Sequence, residues 1–248
     1  MNGDPISNDL LAALPRRDYQ RLLSGLEPVT LTFGEILYEP GKPIRHVYFP
    51  TDSLVSLLTM ADGHLALEVG MVGHEGMLGI PVALGINESP ARALVQGTGA
   101  AWRMTSPHFR SEHGKCRALQ REVNRCIHER MVQITQTAAC NRFHPIEGRL
   151  ARWLLMTRDR MATNHFCMTQ EILGHMLGVL RVAVTNAAGD LQRRKLISYS
   201  RGEISILDGN GLEAAACACY QVVKKGCAQG RAQGEQANHN NSPIATAA

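Results

Sequence analysis

No apolar run in this 248-residue chain approaches the ~20 residues that a helix needs to cross a bilayer. The residues after Met1 turn polar within a few positions and lack the basic start and apolar stretch of a signal peptide. A Walker loop, a Gly-x-Ser-x-Gly elbow and a His-Glu-x-x-His pair are all missing, so no motif-borne enzyme class fits and no catalytic residue is assigned. Glu112-His113 and His74-Glu75 set acids beside histidines, but adjacent side chains on a strand or helix point apart. The cysteines number seven, an odd count at irregular positions (116, 126, 140, 167, 217, 219 and 227). That is no disulfide framework, and reduced thiols in the cytoplasm are the expectation.

Charge is present in both signs, unevenly placed. The net charge is +4, but residues 1–112 carry −4, residues 113–139 carry +3, residues 140–225 carry +5 and the remainder is neutral. The positive half suits a polyanion, where phosphate contacts release counterions. The acidic half implies a different task.

That acidic half reads first as one or two short helices over 6–24, with Ser7 a candidate cap, Leu10, Leu11 and Leu14 on one side, and Pro15 opening the next turn. From Pro28 the period becomes two. Short strands are expected at 29–33, 36–38, 46–49, 54–58, 65–69 and 93–96, with turns at Asp62-Gly63 and Gly97-Thr98-Gly99. Many short strands at close spacing indicate an antiparallel sandwich or barrel. Between two of them lies Gly70-Met-Val-Gly-His-Glu-Gly-Met-Leu-Gly79. Its glycines allow either an anion nest of backbone N–H groups or a tight turn into a short helix, and spacing leaves both open.

Ser106-Pro107 opens a helix, and from Cys116 a long apolar stripe follows: Leu119, Val123, Ile127, Met131, Ile134 and Ala138, at about half-heptad intervals. Charged residues such as Arg117, Arg121, Glu122, Arg125 and Glu129 are interleaved. The stripe fits a helix packed on its own domain or, better, one packed against its mate in a dimer. Phe143-His144-Pro145 breaks the helix and marks a domain boundary, after which Leu150, Trp153 and Leu154 supply a second core.

The most informative stretch is 169–197. Thr169 can cap a helix with Glu171 in its first turn, and Ile172, Leu173, Met176 and Leu177 give it an apolar face. Gly178 suits a left-handed turn. A second helix buries Val184, Ala188 and Leu191 and turns Arg181, Val182, Thr185, Asn186, Gly189 and Arg193 outward. Ile197–Leu207 then reads as strand, turn at Arg201-Gly202 and strand, with Arg193, Arg194 and Lys195 at the junction. This is a winged helix-turn-helix whose second helix can enter a DNA major groove. Asp208 caps a further helix through Leu212, Ala215, Ala216 and Tyr220. On one continuous helix Cys217 and Cys219 stand about 200° apart, so they pack rather than chelate, and no metal site is read. Past Gly226 the Gly, Gln, Asn and Ala content predicts a disordered tail, 226–248.

At these residues the chain resembles the Crp/Fnr family of bacterial transcription regulators, from about Leu10 to Tyr220. Residues 178–197 align without a gap with the turn and recognition helix of the family's catabolite activator. Its base-reading Arg, Glu and Arg correspond here to Arg181, Val182 and Asn186, so the docking mode carries over and the target sequence does not. The resemblance implies an α+β fold: N-terminal helices over 1–24, a cyclic-nucleotide-binding-like β-roll over 25–110, a dimerisation helix over 111–142 and a winged helix-turn-helix over 143–225. It implies a homodimer on a two-fold symmetric double-stranded DNA site, with RNA polymerase a further candidate partner and no membrane. The candidate DNA contacts are Thr169, Gln170, Arg181, Val182, Thr185, Asn186, Arg193 and Arg201.

The resemblance also places a phosphate-binding cassette at the glycine-rich loop, so Gly73, His74, Glu75, Gly76 and Met77 are the candidate effector pocket. The cassette's Gly-Glu pair is split here by His74, and Ala91 stands at its arginine position with Arg92 one place later. A one-residue shift on a strand turns a side chain to the other face, so tight binding of cyclic AMP is not expected. The family's iron–sulfur sensors carry N-terminal cysteines, and none precedes Cys116 here. Haem would need axial ligands, for which His46, His64 and His74 are available. The effector stays unassigned. The competing reading is a ligand-binding sensor whose C-terminal domain binds protein rather than DNA.

Overall fold

The computed structural model describes residues 8–61 and 64–226, with side chains described outside 60–66. Ser7, the Asp62-Gly63 turn and the tail from 227 onward lie outside the described residues. The fold is α+β, with antiparallel sheets, one long helix and a C-terminal helix-turn-helix.

Two short helices, α1 (Asp9–Ala12) and α2 (Arg16–Leu23), precede the sheets. Asn8 caps α1, accepting from the Leu11 amide at 3.2 Å. Seven strands follow: β1 (Glu27–Leu31), β2 (Ile36–Tyr38), β3 (His46–Pro50), β4 (Leu54–Ala61), β5 (His64–Val72), β6 (Arg92–Gly97) and β7 (Gly99–Thr105). They form two antiparallel sheets in the orders β1-β7-β3 and β2-β6-β4-β5. Strand β7, in the middle of its sheet, was missed by the sequence reading because Gly-Ala-Ala offers no alternation. Pairing with β1 and β3 makes it a strand. The glycine-rich loop does end in a short helix, α3 (Ile80–Ala83).

Helix α4 (Ser106–Lys115) has Thr105 rather than Ser106 at its N-cap, because the Ser106 hydroxyl donates to the Ile44 carbonyl at 2.5 Å. Cys116 then caps α5 (Arg117–Phe143), so the long helix starts six residues later than expected. Its stripe is divided. Leu119 and Val123 are fully buried in the core of their own sensor domain, with Phe49, Val55, Val72 and Phe109, and Ile127 packs against that core half-buried. Leu119 and Val123 are therefore closed to a partner. Met131 and Ile134 are 62% and 41% exposed, and Ala138 is exposed beside them.

Pro145 opens α6 (Ile146–Met161), and β8 (His165–Cys167), α7 (Gln170–Leu177), α8 (Arg181–Arg193), β9 (Ile197–Ser200), β10 (Glu203–Ile206) and α9 (Gly209–Ala215) complete the second domain. Its sheet has the order β8-β10-β9. The three-residue β8 is too short to show a period and is fixed only by pairing with β10. Trp153, Leu154, Leu173, Leu177, Val184, Ala188, Leu191 and Ile204 form this core, and Leu54, Leu58 and Met71 of the sensor sheet join it. The two domains thus share buried apolar surface, which removes that area from water at about 25 cal/mol per Å².

The last helix is not continuous. Asp208 caps α9 as expected, accepting from Gly211 N at 2.9 Å, but the helix stops at Ala215 and Ala216 is extended, with ψ 150°. The Cys217 amide donates to the Gly148 carbonyl at 3.3 Å instead of continuing the ladder, and helix resumes over 219–226. The angular argument that separated Cys217 from Cys219 therefore fails. Both thiols lie beside Cys140 and His144, at the end of α5.

Candidate nucleic-acid interface

Thr169 caps α7 by accepting from the Ile172 amide at 3.2 Å. Gly178 closes the helix in the left-handed region, φ 62°, where a Cβ would be strained. Gly174 is needed for a different reason: a Cβ there would lie 2.9 Å from the Val179 carbonyl oxygen, so the tight turn requires glycine. Helices α7 and α8 are bent by 106° across this turn, within the helix-turn-helix range. No single helix among the described residues is long and apolar enough to cross a membrane.

Val184, Ala187, Ala188 and Leu191 fix α8 in the core, which turns Arg181, Val182, Thr185, Asn186 and Arg193 to solvent. Thr185 is engaged across the motif, its hydroxyl lying 2.7 Å from Gln170 Oε1 and 3.1 Å from the Arg181 carbonyl. Arg193 forms an ion pair with Asp190 one turn back, and Arg194 pairs with Glu147 at 2.6 Å. The wing turns through Arg201 and Gly202, both at positive φ (51° and 86°). A groove of about 480 Å³ runs between wing and helix, lined by Thr169, Gln170, Glu171, Arg181, Tyr199, Arg201 and Gly202. It brings together four of the predicted contacts; Val182, Thr185, Asn186 and Arg193 lie outside its lining. Glu171, Tyr199 and Gly202 are additions. Tyr199 is held by donating its hydroxyl to the Met168 carbonyl at 2.6 Å, a pairing between distant segments with no sequence signature.

Residues 148–215 match the Crp-like helix-turn-helix domain family. The fold of Crp/Fnr-family regulators covers about four-fifths of the chain. A transcriptional regulator structure of the Crp/Fnr family from Eubacterium rectale superposes with a TM-score of 0.65 at 16% identity, covering 83% of this chain and 96% of that one. FixK2 from Bradyrhizobium japonicum gives 0.65 at 13% identity, covering 78% and 98%. The c-di-GMP-responsive global regulator CLP of Xanthomonas campestris gives 0.64 at 13% identity, covering 77% and 99%. No curated protein matches the chain by sequence.

In this Crp/Fnr fold the loop expected to form the effector pocket is locked against the reader domain. Glu75 is buried and pairs with Arg160 of α6 at 2.8 Å, while also accepting from the Gly73 amide at 3.0 Å. Burial works against its charge, but Arg160 and then Arg130 outweigh that and hold the carboxyl below its usual range. A Cβ on Gly73 would meet Arg160 Cβ at 2.6 Å. His74 has both ring nitrogens engaged, Nδ1 on Asp9 at 3.2 Å and Nε2 on the Asp159 carbonyl at 3.2 Å, which leaves neither free for a haem iron. Met77 is buried in the sensor core. The cavity beside Glu75 and Gly76 measures about 10 Å³, room for one water at most. Gly73, His74 and Glu75 form a joint with α6 rather than lining an open pocket, and Met77 belongs to the core of the first domain. Arg92 is occupied elsewhere, paired with Glu39 at 2.8 Å.

A second joint lies at Glu68 of β5. Trp153 Nε1 donates to its Oε1 at 3.0 Å and Ser56 Oγ donates to its Oε2 at 2.5 Å. Burial raises this carboxyl to about 7, with the Ser56 bond, Arg152, the Trp153 bond and Arg160 opposing the rise. The folded state thus binds a proton more tightly than the unfolded chain, whose carboxyl titrates near 4.5. Stability from this group is full below that value and declines as pH rises towards about 7. His74, raised by its Asp9 hydrogen bond, loses stability in the same direction as it deprotonates. His46 and His113, both lowered by burial, gain stability as pH rises and oppose these two groups. In urea melts followed by tryptophan fluorescence, Glu68→Gln should lose less stability across this window than the wild type. An unchanged pH profile in that variant would reject the assignment.

Proposed function

We propose that this protein is a homodimeric, sequence-specific DNA-binding transcription regulator acting in the cytoplasm, with the β-roll as its sensor. The exposed face of α8 beside the basic wing groove carries the reading, since Arg181 and Arg201 line the same cleft. Arg181 sits in the first turn of α8, where its planar fork suits guanine O6 and N7. Asn186 suits adenine N6 and N7, and Val182, 61% exposed, suits a thymine methyl. Arg201 at the wing tip meets phosphate and positions without specifying. RNA polymerase is a further partner. The effector is not an ordinary cyclic nucleotide: Glu75 already has Arg160 as its counter-ion, Ala91 supplies no cation and Arg92 is tied to Glu39. CLP is described as c-di-GMP-responsive, so the fold does not dictate one effector.

Selection from a random DNA pool at two salt concentrations tests this. Arg181→Ala should relax one position in each half-site, at a cost of about 1–3 kcal/mol of discrimination. Arg201→Ala should weaken all sequences alike and lower the salt slope by roughly one ion per protomer. A selected motif unchanged by Arg181→Ala refutes the assignment of α8, and absence of salt-dependent DNA binding favours a protein-interaction role.

A further inference from the structure

We propose that Cys140, His144, Cys217 and Cys219 form a tetrahedral zinc site that fastens the C-terminal helix to the junction of sensor and reader domains. The four ligand atoms all lie within 4.8 Å of one another. Cys140 Sγ is 3.4 Å from Cys217 Sγ, and Cys219 Sγ is 3.5 Å from His144 Nδ1. With Zn–S near 2.3 Å, a regular tetrahedron places its sulfur vertices about 3.8 Å apart, close to this arrangement. A disulfide would require about 2.05 Å between sulfurs. An iron–sulfur cluster, holding several irons and sulfides, would hold its cysteines farther apart than ligands that share one ion.

The local backbone supplies the ligand set from two ends. Cys140 and His144 stand four residues apart at the close of α5, on one face of its last turn. Cys217 lies in the break between α9 and the helix over 219–226, where the extended Ala216 replaces the helical turn, and Cys219 is the first residue of that helix. Cys140 and Cys219 are buried, and three cysteines with one histidine make a closed set of the kind that holds structural zinc, leaving no open position for catalysis.

Charge gives an independent reason. Arg149 and Arg152 are buried on α6 beside these thiols, and neither forms an ion pair with a carboxylate among the described residues. Their Nε atoms have no hydrogen-bond partner there either. Three thiolates around one Zn²⁺ carry a net charge of −1, which adds a buried counter-charge for Arg149 and for Arg152, whose field otherwise falls on the Glu68 carboxyl. Sulfur-rich coordination also favours zinc over magnesium or calcium, which take oxygen.

The test uses the full chain purified anaerobically without chelator. Elemental analysis should find one zinc per protomer. Replacement by Co²⁺ should give thiolate-to-cobalt charge-transfer bands and the strong visible bands of a tetrahedral site. Cys219→Ser and His144→Ala should lose the metal, His144→Cys should retain it, and Cys126→Ser, outside the cluster, should be unaffected. Since a cluster variant can fail to fold, the wild type gives a second readout by peptide mapping after iodoacetamide. Cys140, Cys217 and Cys219 should be protected until a chelator is added, whereas the exposed Cys167 reacts throughout. Substoichiometric zinc with no cobalt bands in folded protein overturns the proposal, as does a Cys140–Cys217 disulfide in the anaerobic sample.

Discussion

The Met131→Asp/Ile134→Asp double variant is expected to sediment as a monomer and to bind operator DNA about 10²–10⁴-fold more weakly, because the second half-site is no longer engaged intramolecularly. Met131, Ile134 and Ala138 lie at i, i+3 and i+7 on the outer face of α5, and all three are exposed in the single chain. The inner face of the same helix buries Glu122, Glu129, Gln133 and Thr137. Arg125 pairs with Glu122 at 3.0 Å and Glu129 at 2.7 Å, and Gln133 Oε1 accepts from the Met71 amide at 3.3 Å while its Nε2 has no partner among the described residues. A surface helix of a monomer places its apolar face inward. Over 129–138 this helix does the reverse, and in the proposed homodimer a second copy covers the outer strip. Ile127→Asp is a poorer probe, since Ile127 packs against its own sensor core and the change would damage the fold. Sedimentation and gel shifts decide the matter; a variant that stays dimeric places the interface elsewhere.

Arg160→Ala is expected to destabilise the docked two-domain state by about 3–5 kcal/mol, as loss of one member of a buried ion pair leaves the other charge uncompensated. Arg160 Nε meets Glu75 Oε1 at 2.8 Å with both side chains about a tenth exposed, and Nη1 also donates to the Met156 carbonyl at 3.1 Å. The Glu75→Gln/Arg160→Ala double variant should cost less than Arg160→Ala alone, because the stranded carboxylate is then gone. Urea denaturation of the four proteins in the cycle measures the coupling. Strict additivity would show that the pair does not hold the sensor loop to α6. The same loop also contacts Asp9 of α1 and Cys126 of α5.

The helix-turn-helix was legible because its signals are local. A cap at Thr169, a left-handed glycine at 178, buried positions at 184, 188 and 191, and a positive-φ wing turn each act within a few residues, and all point the same way. Most strands of the β-roll were legible by the same logic, through their two-residue period. The division of the α5 stripe was not legible, because apolar spacing says that a face is buried and not against what. Leu119 and Val123 meet their own sensor domain and Met131 and Ile134 meet solvent only because the β-roll covers one end of the helix.

The glycine-rich loop shows the same limit more sharply. Sequence put glycines and a carboxylate together and left a nest or a turn open; the partner that decides the matter, Arg160, lies 85 residues away along the chain. Cys217 and Cys219 were separated on paper by assuming that their helix continued. The hydrogen bond from Cys217 to Gly148 and the extended Ala216 bring them to Cys140 and His144 instead. Sequence alone thus determined the elements, the reader motif and the residues it presents, because propensity, period and turn chemistry act over short range. Tertiary structure alone decided which charges pair across the domains, which half of the long helix is free and which thiols converge, because those depend on contacts between segments that no local pattern records.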